Sequence, residues 1–563
     1  MENYSERSAA FNWSRRRLLR AGALGTVGLG AAALIGCSNS GTSNNATKAP
    51  ATGGSPVAAG QPKRGGTIKA VYNYDVPTYN IHNPTTAGQG AIMMGSIYSG
   101  LLRFSWKEPW KADADIAEKW ESPDPTRWVF TLRKGVKWHD GKAFTSKDAA
   151  LSLPFTQTMK SGPLARVKPT FETPDDNTLV IKLSSPAPYL PGQLARLQSK
   201  LIRPDVIERK AEDKEFIGTG PWKYERHEAG QGWYYTKNPD FYLMGADGKP
   251  LPYADKLARV LITAAPAGIS AISTGQVHTL GAFPSMLPSQ IAVIKRTAGE
   301  KVVVNELANG MSRMFVNAGR KPFDDKRVRM AAHLAMDRPD IVRRGYEGAL
   351  VPGVLDARES GKYALSKEDL AKLPGFRTSK DEDLKEARAL LAAAGYASGG
   401  PTLELIGRQT SVYVETATVV NDNLIKVGFK PTFQSVESSV GVVRQNKGEF
   451  DMGTVLPAGD TDPLLHLQSM LLTVPSANNH SYLKGSEWEQ KVVDVIAKAI
   501  GATDEGERIQ AAHDVQKYVC TGDSGVFAIG GSTGYVMNAR ELKDNYPAPT
   551  TSGESFYEAW LDQ

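Results

Sequence analysis

The sequence predicts a mixed α/β protein whose two dissimilar halves enclose a cleft. Two observations carry this reading. In the second half, Leu403–Ile406 reads as a short apolar strand, Val412–Val427 as a helix, Lys430–Val436 as a strand, Ser438–Asn446 as a helix and Phe450–Leu456 as a strand. Such a β-α-β-α-β alternation implies a parallel sheet with helices on its faces. The first half is built differently, from alternating strands closed by tight turns. Trp128, Phe130 and Leu132 alternate with other residues, the period of a strand with one buried face.

The elements follow in chain order. Arg15 and Arg16 open a twin-arginine export signal, and Ala21–Gly36 is an apolar run rich in Gly and Ala, too short to span a bilayer. The run ends at Leu34-Ile35-Gly36-Cys37, a pattern resembling the bacterial lipoprotein box, in which Cys37 is acylated and becomes the mature N-terminus. Twin-arginine passengers usually cross the membrane folded, so folding in the cytoplasm is expected. From Ser38 to Pro62 the chain is almost entirely Ser, Asn, Thr, Gly, Ala and Pro with one charge, Lys48, and cannot bury enough apolar surface to order itself. As a flexible coil it would hold the folded body about 25–30 Å from a membrane.

The body from about Arg64 onward is long enough for two or three domains with cores of their own. The formal charge of +7 overstates its basicity: residues 1–36 hold five Arg and two Glu, so of 67 basic and 60 acidic residues, 62 and 58 remain. That balance argues against nucleic acid as a partner. With Cys37 acylated, Cys520 is the remaining thiol, so no intramolecular disulfide is expected. Beyond the signal, no apolar run approaches the ~20 residues of a membrane helix.

Within the body, Thr67–Tyr72 is the first strand. Lys134-Gly135 turns the Trp128–Arg133 strand, Val136–Trp138 is expected to return as a second strand, and Asp140-Gly141 makes another tight turn. Thr145 with Asp148 is a capping-box-like helix start. Leu179–Leu183 is a strand ended by Pro186 and Pro188. Asp383–Ala394 places Leu384, Ala387, Leu391 and Ala394 on one helix face and stops at Gly395.

Several of these segments resemble the extracellular solute-binding protein family 5, receptors of dipeptide, oligopeptide and related ABC importers. The resemblance rests on Ala117–Asp124, on Phe130–Asp148 with its Trp138-His139-Asp140-Gly141, on Gly218–Trp222, on Pro322–Arg329 with Ala335–Arg338, and on Ala389–Tyr396, all in the family's order. It implies a two-lobed fold like that of type II periplasmic binding proteins, with an extra subdomain in the first lobe. Lobe I would comprise 66–304 and 526–563, the subdomain about 99–214, and lobe II 305–525, after a signal at 1–36 and a tether at 37–65. It also implies a non-enzymatic receptor, lipid-anchored outside the cytoplasm, working as a monomer. Such a receptor passes a small solute, foremost a short peptide, to membrane permease subunits.

The resemblance marks candidate site residues. In peptide-binding relatives an Asp in the loop after the Phe450–Leu456 strand pairs with the ligand's α-ammonium, and Asp460 is the matching position, with Asp462 beside it. The alternative role is a helix N-cap. The spot itself, at the carboxyl end of a parallel strand, is where α/β sheets collect ligands. Arg408 follows the Leu403–Ile406 strand with the geometry to reach a carboxylate bidentately, or lies on the surface. Tyr74, Asp75 and Tyr79 follow the first strand, as a cleft wall or as core packing. Two features depart from the family pattern: Leu456-Pro457 stands where peptide receptors usually carry a Trp, and Gly275-Gln276-Val277-His278 replaces Gly-Glu-x-Asp.

Rival readings are an oligosaccharide receptor of the same family and a secreted enzyme exported folded. Gly530-Gly531-Ser532-Thr533-Gly534 matches the G-x-S-x-G nucleophile elbow but lacks a following helix and a later His. Trp138-His139-Asp140-Gly141 reads as a hairpin corner, not a catalytic site. No cofactor or metal is expected: the eight His are scattered without ligand spacing. A single imidazole holding a chelated nickel, as in one branch of the family, stays open.

Overall fold

The computed structural model describes residues 61–73, 79–82, 89–105, 111–160, 162–281, 286–455, 460, 462–471, 487–545 and 556–563. Arg15, Arg16, Cys37, Tyr74 and Asp75 lie outside the described residues.

One sheet organises the body. Its path runs Lys430–Val436, Thr402–Arg408, Met452–Val455, Val302–Val316, Val526–Ala539, Thr279–Gly281, Thr67–Tyr72, Lys256–Leu261, Gly232–Lys237 and Trp222–Glu228. At one end Thr402–Arg408 pairs in parallel with both Lys430–Val436 and Met452–Val455. This is the predicted β-α-β-α-β unit, its helices at Ser411–Val427 and Ser438–Lys447. In the middle, the long strands Val302–Val316 and Val526–Ala539 are antiparallel, and their register shifts between Ala308 and Met311 and between Ser312 and Arg313. Such irregularities bend and twist a strand pair.

A separate antiparallel sheet joins Ala117–Asp124, Arg127–Leu132, Thr178–Lys182 and Thr170–Asp175. It corrects one expectation: Val136–Trp138 forms no strand beside Arg127–Leu132. Its backbone bonds go elsewhere, because Trp138 N–H donates to Lys142 O at 2.8 Å and an isolated bridge joins Lys137 to Ala143. The turn this closes has Gly141 at φ 90°, a conformation glycine adopts without strain. Val136 and Trp138 instead bury their side chains, with the Trp138 ring 5.4 Å from Phe144.

The local signals hold where chemistry is local. Thr145 N–H donates to Asp148 Oδ2 at 2.8 Å, completing the capping box of the Ser146–Ser152 helix. The helix expected from Asp383 begins at Lys380, passes from Leu391 into a wider turn over Ala392–Tyr396, and reverses at Gly395, φ 93°. Gly530–Gly534 lies inside the Val526–Ala539 strand, so Ser532 sits on no elbow.

Among the described residues, three of the larger cores matter for the site. One gathers around Thr402–Arg408 and Ser411–Val427, with Leu405, Val420 and Leu424 fully buried. A second fills the separate sheet, around Phe130, Leu179 and Leu190. A third packs Trp222, Trp233 and Tyr235 against the first strand. Leu465, from the later half of the chain, is buried in the second core. No helix among the described residues is long and apolar enough to cross a membrane.

Candidate functional site

The strand Met452–Val455 ends at the segment that carries Asp460, and the helix Pro463–Leu471 follows. Asp462 caps that helix: its Oδ1 accepts from Leu464 N–H at 2.9 Å and Leu465 N–H at 3.2 Å, and its Oδ2 meets Arg508. The N-cap role weighed for Asp460 therefore falls to Asp462, two residues on.

Asp460 points away from its own helix. Its Oδ1 accepts from Gln193 Nε2 at 2.9 Å and its Oδ2 from Arg196 Nη1 at 2.6 Å. Gln193 belongs to the short helix Leu190–Leu194, in the region of the second sheet, and Arg196 follows it closely. The contact is largely out of water, with side-chain exposures of 9% for Asp460 and 17% for Arg196. An ion pair so placed is screened less than a surface pair. Tyr189, just before that helix, lies within the field of Asp462 and Arg508, and burial pushes its hydroxyl pKa up to about 12.

Beneath this contact lies a buried polar cluster. Asp460 N–H donates to His466 Nδ1 at 3.1 Å, which places the imidazole proton on Nε2. Burial, and then the Arg313 charge, hold His466 down at about 4, so the ring is neutral at pH 7. Arg313 lies on the central strand, its Cα paired with Val455, and is fully buried. Burial pushes its guanidinium down to about 9, with Tyr413 pulling the other way, and it remains protonated at neutral pH. Arg408 ends its strand beside this group. It donates to Gln445 Oε1 at 3.1 Å, and its guanidinium carbon stands 5.7 Å from the Tyr413 ring centroid.

Tyr79 is placed differently. It packs edge-on to Trp233, centroids 4.7 Å apart, and its hydroxyl lies 3.4 Å from His227 Nδ1. The arrangement thus gathers Asp460, Asp462 and Arg408 at one end of the parallel strands and leaves Tyr79 in an aromatic cluster on the first strand's side. Sequence reasoning missed Gln193, Arg196, Arg313 and His466. Arg313 carried a readable signal, a lone charge within the strand-like segment Met311–Val316. The others become neighbours only through tertiary contact.

The motifs that invite catalytic readings have structural explanations. His139 Nε2 donates to Gly220 O at 3.0 Å while Nδ1 accepts from Gly218 N–H at 3.3 Å, and Asp140 pairs with Arg203. The Trp138–Gly141 corner is thereby tied to the Gly218–Trp222 segment. At Gly531 an added Cβ would lie 2.0 Å from Asp356 Oδ2, so glycine there admits the carboxylate. The His278 departure closes a sheet junction: its Nδ1 accepts from Lys69 N–H at 3.0 Å and its Nε2 lies 3.4 Å from Glu541. Among the described residues no group of three or more His, Cys, Asp or Glu is placed to hold a metal.

The chain is similar to known proteins in both sequence and fold. Residues 111–478 match the model of the bacterial extracellular solute-binding proteins, family 5 Middle. A putative ABC transporter peptide-binding protein of Brucella ovis is 29% identical over 289 residues, 48% of this chain and 51% of that protein. The chain thus spans about half the length of the curated relatives of this group. The oligopeptide-binding protein AppA of Bacillus subtilis is 25% identical over 453 residues, 75% of this chain and 77% of that protein. Among solved structures, the periplasmic binding protein AgaA of A. tumefaciens R10, in complex with agropinic acid, superposes with a TM-score of 0.75 at 22% identity, covering 88% of this chain and 99% of that one. The fold is accordingly the two-lobed, type II-like fold of periplasmic binding proteins with an extra subdomain. This chain belongs to the bacterial extracellular solute-binding proteins, family 5.

Proposed function

We propose that the chain is the substrate-binding component of an ABC importer, capturing a small polar solute, foremost a short peptide, in an interlobe cleft and delivering it to a membrane permease. The observation that carries this reading is the contact of Asp460 with Gln193 and Arg196, where the end of a parallel strand meets a helix of the early subdomain above buried Arg313, Tyr413 and His466. A receptor that closes on its ligand needs such a meeting of distant chain segments, and closure lets a membrane partner tell loaded from empty. The names of the Brucella and Bacillus relatives support peptide as the ligand class.

The lobes are proposed at 66–304 plus 526–563 and at 305–525, with Val302–Val316 and Val526–Ala539 as the strands crossing between them. Asp460 and Arg408 face the cleft in this reading, and Asp462 caps the helix that follows Asp460. Arg15 and Arg16 direct export, Cys37 anchors the protein by lipid to the outer side of the cell membrane, and it works as a monomer. Binding is reversible and no bond in the ligand is made or broken.

Native mass spectrometry of the full-length protein before and after denaturation tests the reading by weighing its cargo. A series of short peptides is expected. Hexose-spaced masses would move the ligand to sugars, and a protein carrying nothing and binding no peptide would end the proposal.

A further inference from the structure

We infer that Arg358, held by Asp356, braces the bend in the two long central strands and thereby sets how readily the lobes close. The inference rests on the binding-protein reading and adds a positioning residue that acts through the strands and needs no contact with the ligand.

The argument begins with a break in the ladder. Val302–Val316 and Val526–Ala539 pair without interruption from Val302 and Ala539 to Ala308 and Thr533, and pairing resumes at Met311 with Gly531. Asn309 and Gly310 thus stand opposite Ser532 alone, a bulge, and Gly310 has φ 73°, left-handed backbone that glycine adopts freely. The register slips again between Ser312 and Arg313. Closing two lobes requires a few backbone positions to absorb the rotation, and a bulge is where the fewest ladder bonds resist it.

The segment 349–358 grips this spot. Thr533 N–H donates to Ala349 O at 2.9 Å, and Leu350–Pro352 pairs with Ser532, Gly531 and Gly530. A few residues on, the buried Asp356 carboxylate accepts from Arg358 Nε at 3.0 Å and from Nη2 at 2.6 Å. The same guanidinium also donates to the strand, from Nη2 to Gly531 O at 3.0 Å and Ser532 O at 2.8 Å, and from Nη1 to Thr533 Oγ1 at 2.7 Å. Successive carbonyls of a regular strand point to opposite edges, so one nitrogen that reaches two of them marks a strand turned at the bulge. A planar, charged fork suits several acceptors held at once.

Arg358 lies in the segment proposed for lobe II and Gly531–Thr533 in the segment proposed for lobe I, so the brace crosses the boundary between them. Its bonds are made in the arrangement in which Asp460 meets Arg196, the closed one on this reading, and so favour closure. Asp356 lies close enough to His466 for its charge to reach the ring, which puts the brace beside the Asp460 segment.

The test follows the interlobe distance in the full-length chain by single-molecule energy transfer, with dyes at Lys119→Cys and Lys385→Cys, exposed positions in the two proposed lobes. No ligand is needed. Arg358→Gln is expected to lower the ratio of closed to open molecules by about tenfold, the scale of one lost hydrogen bond to a charged group. Arg358→Lys, which keeps the charge but not the fork, should lower it by less. The urea midpoint, measured alongside, separates a brace from packing alone. An unchanged distance distribution, whether the midpoint falls or not, would overturn the brace. A parent with one fixed distance would remove the closing receptor and the brace together. If the distances respond to the substitutions but trialanine binds neither parent nor variant, the peptide reading falls and the brace stands. If Arg358→Gln does not fold, Thr533→Ala, which deletes one acceptor, decides by the same distance measurement.

Discussion

Asp460 and Arg196 stand 2.6 Å apart, carboxylate to guanidinium, although 264 positions separate them in sequence. The pair joins the loop after a parallel strand to a helix of the early subdomain, so it exists only while those two regions are in contact. On the proposed receptor reading its strength is coupled to closure. Arg196→Ala and Asp460→Ala are each expected to lower ligand affinity by about tenfold, through a less populated closed state. The double variant should be no weaker than the worse single one, with a coupling energy of about 1.4 kcal/mol in a double-mutant cycle read by calorimetric titration. Strictly additive losses would show that the two residues act independently.

Leu465 buries its side chain in the core of the early subdomain while its backbone belongs to the Pro463–Leu471 helix. Leu465→Ala removes that bridge and should cost about 2–4 kcal/mol in urea unfolding if the contact persists in the unliganded protein. A cost below about 1 kcal/mol, with small-angle scattering showing a more extended particle, would indicate that the unliganded protein spends its time open.

Asp115 is buried with Lys200, Nζ to Oδ2 3.0 Å, and also accepts from Tyr242 and from Gly100 N–H. Burial pushes its carboxyl up, but the Lys200 charge and these bonds outweigh burial and leave it below the usual carboxylate range. Lys200→Met should therefore destabilise by about 3–5 kcal/mol, because a buried charge loses its counter-charge. Adding Asp115→Asn should restore part of the loss. Equal unfolding midpoints for the single and double variants would contradict this.

His82, His139 and His466 are each held at about 4, burial being the largest cause, against 6.5 unperturbed. Between those values the unfolded chain takes up protons that the folded one refuses. Stability is thus full above pH 6.5 and falls as the pH drops toward 4, by about 1.4 kcal/mol per pH unit for each fully engaged histidine. Urea midpoints measured at pH 7, 5.5 and 4.5 should show the decline, and His139→Gln should make it shallower. A flat profile between pH 7 and 5 would exclude neutral buried histidines as its source.

Gly531→Ala should cost roughly 1–3 kcal/mol or more, because the new Cβ would meet the Asp356 carboxylate. Ser532→Ala, by contrast, is expected to leave ligand binding near that of the parent, since the Ser532 hydroxyl donates at 3.4 Å to Gly310 O on the neighbouring strand Val302–Val316, a contact between strands. Titration of both variants with the released cargo separates a packing role from a chemical one.

Much of this was legible because it is local. The Thr67–Tyr72 and Lys430–Val436 strands appear with the residues their periodicity predicts, and the Thr145–Asp148 capping box forms as spelled. Period-2 and period-3.6 burial, cap chemistry and turn residues are written within a few positions of one another. The Val136–Trp138 strand failed for the complementary reason. A strand needs a partner, and partners are chosen by the whole sheet: Arg127–Leu132 took Ala117–Asp124 and Thr178–Lys182 on its two edges, leaving no place for a third.

By itself the sequence determined the α/β class, the parallel unit of the second half, the likeness to a solute-binding family and the neighbourhood of Asp460. Only the tertiary structure decided what Asp460 touches. Arg196 approaches it from a part of the chain that no periodicity links to it, Arg313 comes to lie beneath through strand pairing, and His466 receives its tautomer from the Asp460 backbone N–H. Charge pairing and tautomer choice are set by distances of about 3 Å between side chains, and only folding brings residues this remote to such distances.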